Sequence, residues 1–80
     1  MVAAFVMIQM SVSGGWADAR DLHNTLHGVM GVKTVYFLSG PTDILAFVEA
    51  ADMTSLMDSI GKIRSVKGVA STDTRMVLPI

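Results

Sequence analysis

A two-residue alternation of apolar side chains gives way to a helical period and then returns to alternation, and the chain does this twice. In the first half, residues 2–12 put Val2, Ala4, Val6, Ile8, Met10 and Val12 on one face of a strand, against Ala3, Phe5, Met7, Gln9 and Ser11. Gly14 and Gly15 break that strand. From Trp16 the period is helical, with Ala19, Leu22, Leu26, Val29 and Met30 on one stripe, until Gly28 and Gly31 stop it. A second strand over 32–39 sets Val32, Thr34, Tyr36 and Leu38 against Lys33, Val35, Phe37 and Ser39. The second half repeats the plan. A strand over 44–50 follows the turn Gly40-Pro41-Thr42-Asp43. Asp52 is placed to cap a helix over 53–66 whose apolar stripe is Met53, Leu56, Met57, Ile60 and Ile63, and a last strand covers 70–78. Short local likenesses support the duplication: Ala4-Phe5-Val6 returns as Ala46-Phe47-Val48, and Met30-Gly31-Val32 as Lys67-Gly68-Val69.

Two β-α-β halves make βαββαβ, an α+β chain of the ferredoxin-like plan. Right-handed crossovers place both helices on one face of a four-stranded antiparallel sheet with strand order 4-1-3-2. Strands 1 and 3 are apolar on both faces, as central strands are, whereas strands 2 and 4 carry the polar alternation of edges. We expect residues 1–80 to form a single domain.

Composition narrows the function. The 80 residues carry six basic and seven acidic side chains, for a net charge of −1, and the basic residues are dispersed. Displacing counterions from a phosphate backbone takes a basic cluster, so no direct nucleic-acid partner is expected. No apolar run reaches a membrane span, and the segment from Val2 to Ile8 lacks the basic residues that precede a signal-peptide core. The expected setting is cytoplasmic. Without cysteine there is no disulfide, thiolate metal site or thiol nucleophile. No catalytic residue, metal or cofactor is expected: His23 and His27 share a helix face but lack a third ligand, and no nucleophile–base or paired-carboxylate pattern occurs.

Two features do point to a function. If the even residues of strands 1 and 3 face the helices, then Phe5, Met7, Leu45 and Phe47 form an apolar cluster on the open face, and the loops are too short to cover it. Such a patch calls for a second copy, sheet against sheet. The other feature is a pair of polar segments, Gly40-Pro41-Thr42-Asp43 and Ser71-Thr72-Asp73-Thr74, that open strands 3 and 4. Each alone is explained by turn chemistry and edge decoration. Together they offer a carboxylate, hydroxyls and free N–H groups, a set that can hold a zwitterion.

The run Gly31-Val32-x-x-Val35, Gly40-x-x-Asp43-Ile44-Leu45, Leu56, Ile60, Ile63, Val66-x-Gly68-Val69-x-x-Thr72-x-Thr74-x-x-Val77-Leu78 resembles the effector-binding domain of Lrp/AsnC transcription regulators, called RAM. The likeness covers nearly the whole chain and corresponds to the stand-alone form of the domain, without a helix-turn-helix. It implies an amino-acid effector, face-to-face homodimers assembling into octamers or decamers, and action on full-length Lrp/AsnC regulators. It maps the ligand positions onto Gly40, Asp43, Thr72 and Thr74, with Thr42 before the turn aspartate and Met76 and Trp16 lining the pocket. Two other functions suit the same fold. One is a dimeric α/β-barrel enzyme, a monooxygenase or isomerase using His23, His27 or Trp16; the other is an ACT-like regulatory domain with its site near Gly14-Gly15.

Overall fold

The computed structural model describes residues 1–11 and 16–78, with Trp16 and Ala17 in backbone only. The elements run β1 (Val2–Met10), α1 (Trp16–His27), β2 (Val32–Phe37), β3 (Ile44–Ala50), α2 (Met53–Arg64) and β4 (Val69–Met76). All strand pairs are antiparallel, and the sheet order is β2-β3-β1-β4, the expected 4-1-3-2.

The central pair sets the core. Ala4, Val6 and Ile8 of β1 lie opposite Val48, Ala46 and Ile44 of β3, and all six are buried. Leu22 and Leu26 of α1 and Leu56, Ile60 and Ile63 of α2 close over them, so one sheet face and two helix stripes share one apolar layer. The odd residues Phe5, Met7, Leu45 and Phe47 point the other way.

Three expectations change in detail. On β2 the register shifts between Val32 and Thr34, so strict alternation fails. The extra residue at Lys33 brings Val32 and Val35 to the core face together, both buried, and sends Thr34 and Tyr36 to the open face. On α1, Ala19, Leu22 and Leu26 are buried as expected, but the helix ends at His27, and Met30, in the turn beyond it, is exposed. On α2, Met53 and Met57 are about half exposed, and Ser59 is buried in their place.

Ser59 belongs there because of a close approach. Gly31, at φ +96°, brings its backbone so near α2 that a Cβ would lie 2.7 Å from Ser59 Oγ. The hydroxyl donates to the Met30 carbonyl at 2.6 Å, so the exit of α1 is tied to the middle of α2. Asp52 caps α2 as expected, its Oδ1 accepting the Ser55 N–H at 2.8 Å. That bond holds the Asp52 carboxyl below its ordinary range.

Candidate functional site

The turn before β3 is fastened to the end of β1 by main-chain and side-chain bonds. Gly40, at φ +115°, makes the reversal that other residues rarely adopt. Leu38 N–H donates to the Asp43 carbonyl at 2.8 Å, and Asp43 N–H donates to the Ile8 carbonyl at 3.1 Å. Gln9 Nε2 donates to the Pro41 carbonyl. The half-buried Asp43 carboxylate accepts the Met10 N–H through Oδ2 at 2.8 Å. Even-numbered residues of β1 turn their N–H towards β3, which begins at Ile44 opposite Ile8, so the Met10 N–H lies past the start of β3 and the carboxylate gives it an acceptor.

β4 starts at the same end of the sheet, on the other side of β1. Thr72 lies opposite Ile8 and Thr74 opposite Val6, and both are half-buried on the helix-facing side. β3 and β4 flank β1, so the Asp43 turn and Thr72 stand roughly two strand spacings, about 10 Å, apart. A cleft of about 320 Å³ lined by Arg64, Val69, Ala70, Ser71 and Thr72 opens beside this end.

The sequence-derived positions therefore fall into groups. Gly40, Thr42, Asp43 and Thr72 share one end of the sheet, with Thr74 one step inward. Met76 lies opposite Ala4, towards the other end. The side chain of Trp16 and the Gly14-Gly15 segment lie outside the described residues.

On the open face, Phe5 and Phe47 are cross-strand partners with ring centroids 5.0 Å apart. Met7 pairs with Leu45, and Tyr36 extends the apolar strip onto β2. β4 ends the strip with charge: Arg75 Nη2 meets Asp73 Oδ2 at 3.0 Å. The pair holds the Asp73 carboxyl below its usual value and raises the Arg75 guanidinium, each by the hydrogen bond between them. The two histidines stack on each other with centroids 6.0 Å apart, and His23 packs 5.6 Å from the Phe37 ring. Among the described residues no three His, Cys, Asp or Glu side chains gather as a metal site would require.

Sequence reasoning did not find two of these features. The Met10 N–H as partner of Asp43 depends on where β3 starts against β1. The Asp73–Arg75 pair was legible, since residues two apart on a strand share a face.

Comparison with known proteins agrees with this architecture. The HTH-type transcriptional regulator LysM of Saccharolobus solfataricus is 30% identical over 77 residues, 96% of this chain and 52% of that protein. Homocitrate synthase of Sulfurisphaera tokodaii is 52% identical over 50 residues, 62% of this chain and 11% of that enzyme. The crystal structure of TTHA0845 from Thermus thermophilus superposes with a TM-score of 0.83 at 30% identity, covering 100% of this chain and 96% of that one. The chain thus spans about half the length of the regulator it matches and about a tenth of the enzyme. The family model for the Lrp/AsnC ligand binding domain matches residues 3–79. The chain belongs to that family, as an effector-binding regulatory domain.

Proposed function

We propose that this domain senses a free α-amino acid at the end of the sheet where β3 and β4 begin, and passes the signal on through assembly and protein contact. Asp43 carries the reading. Its carboxylate is half-buried, held in place through Oδ2 by the Met10 N–H, and keeps Oδ1 available to an α-ammonium. The Thr42, Thr72 and Thr74 hydroxyls suit the carboxylate of the same ligand. Because Thr72 stands about 10 Å across β1, ligand groups from a neighbouring copy complete the site, at a contact between dimers. The dimer itself forms by packing the open faces, with Phe5, Met7, Leu45 and Phe47 at its centre, and dimers build a ring of eight or ten copies. The setting is cytoplasmic, and the action is on Lrp/AsnC regulators rather than on DNA. The match to homocitrate synthase favours a second target, an enzyme, since part of this domain occurs within one.

The test is a screen of the common amino acids by thermal shift and calorimetry. At least one should stabilise the protein. Asp43→Asn, which keeps an acceptor for Met10 N–H but loses the charge, should weaken that ligand roughly tenfold to a hundredfold, the worth of a charged hydrogen bond. No shift with any amino acid at millimolar concentration refutes the effector reading. Loss of binding in His23→Ala with Asp43→Asn unaffected moves the site to the helix side and favours an enzyme.

A further inference from the structure

The two edges of the sheet are not alike. β2 carries a register shift and a lysine at Lys33, two devices that keep another strand from adding to an edge. β4 has neither. From Ser71 to Met76 its pairing with β1 is regular, and the segment contains no proline or lysine. Among the described residues it pairs with β1 alone.

The direction of its free main-chain groups follows from one bond. Val77 N–H donates to the Ala3 carbonyl at 3.0 Å. Alternate residues of a strand turn their N–H and C=O to opposite edges, so Ser71, Asp73 and Arg75 also bond towards β1. Thr72, Thr74 and Met76 therefore turn their N–H and C=O outwards, to a side with no strand.

We infer that β4 is an interface strand that pairs antiparallel with β4 of a second copy about a two-fold axis at Thr74. Charge selects the register. Centring on Asp73 sets Asp73 against itself, and centring on Arg75 does the same with arginine; like charges directly opposite oppose pairing. Centring on Thr72 leaves Arg75 without an acid opposite it, and centring on Met76 leaves Asp73 without a base. Centring on Thr74 sets Asp73 opposite Arg75 of the second copy and Arg75 opposite Asp73 of the second copy. It also satisfies the backbone, because Thr74 and the Thr72–Met76 pairs are the positions whose groups turn outwards. The charged residues then occupy the non-hydrogen-bonded positions, where side chains of opposed residues come closest.

Within one chain Arg75 and Asp73 already pair, with side chains 68% and 56% exposed. An exposed pair of this kind contributes little to the fold. Across the paired edge each carboxylate meets two guanidinium groups, and the four charges form one alternating network. The contact is isologous and separate from the open face, so a chain that uses both surfaces builds assemblies larger than a dimer. It also brings Thr72 and Thr74 of both copies to a common seam on the helix side. It goes beyond the amino-acid reading and needs neither the ligand nor Asp43.

Charge reversal in two separately purified chains tests it. Sedimentation velocity should show Asp73→Arg and Arg75→Asp each lacking one association step of the wild type, weakened by about tenfold or more. An equimolar mixture of the two should regain that step, because each edge then faces its opposite. A pair within one chain cannot produce that recovery. Both substitutions are at exposed positions, and circular dichroism verifies the fold. Thr74→Pro, which removes an outward N–H and leaves the β1 ladder intact, should lose the same step. Wild-type assembly in both single variants, or a mixture no larger than its components, overturns the inference. Amino-acid binding read through Asp43→Asn stands or falls separately.

Discussion

Asp43 and Asp52 use the same chemistry at two places: a carboxylate oxygen accepts a main-chain N–H that the local backbone leaves unpaired, Met10 for one and Ser55 for the other. For Asp52 the consequence with pH has a definite sign. Its folded pKa is lowered, first by the Ser55 N–H, so the folded state binds that proton less readily than the unfolded chain. The contribution is fully present above the unfolded value of about 3.9 and is lost as pH falls through the lower folded value. Asp52→Ala should therefore melt at a lower temperature than the wild type at pH 7. The two melting curves should converge as pH drops below about 4, and a gap that persists unchanged in acid would contradict the capping role.

At the scale of elements, α2 and its neighbours show how one residue type serves opposite ends. Gly61 lies in the exposed middle of α2, and a Cβ there would touch nothing within 4 Å. Gly61→Ala should stabilise the protein by about 0.5–1 kcal/mol, the difference in helix propensity, read as a higher urea midpoint. Gly31 is the reverse case, with a φ of +96° and the Ser59 hydroxyl 2.7 Å from a built Cβ. Gly31→Ala should lower stability by more than about 1 kcal/mol, from strain and from loosening the Ser59–Met30 bond. If both alanines stabilised, the close approach of the α1 exit to α2 would not constrain the fold.

For the whole molecule, helices cover one face of the sheet and leave the other bearing Phe5, Met7, Leu45, Phe47 and Tyr36. Covering about 1,000 Å² of apolar surface is worth roughly 25 kcal/mol gross, before the costs of association. Light scattering at micromolar concentration should find the wild type dimeric or larger. Phe47→Asp places a charge at the centre of the strip and should give monomer or aggregate. A wild type that stays monomeric removes the open-face dimer while leaving the fold untouched.

Whatever depends on periodicity was legible in the order of residues alone. Alternation at 4, 6 and 8 and at 44, 46 and 48, the helical stripes through Leu22–Leu26 and Leu56–Ile63, and the Asp52 cap all depend on neighbours in the chain, and with the crossover rule they determine the 4-1-3-2 order. The polar turn at Gly40–Asp43 and the polar start of β4 were legible as candidates for the same reason. Tertiary structure decided what depends on register. The shift at Lys33 flipped the faces of β2, and the start of β3 at Ile44 left the Met10 N–H to the Asp43 carboxylate. The approach of Gly31 made Ser59 a buried residue while Met53 and Met57 stayed half exposed. Each of these turns on one inserted residue or one close contact between segments far apart in sequence. A period-two pattern carries no record of such events, because a slip of one residue reverses every side chain beyond it.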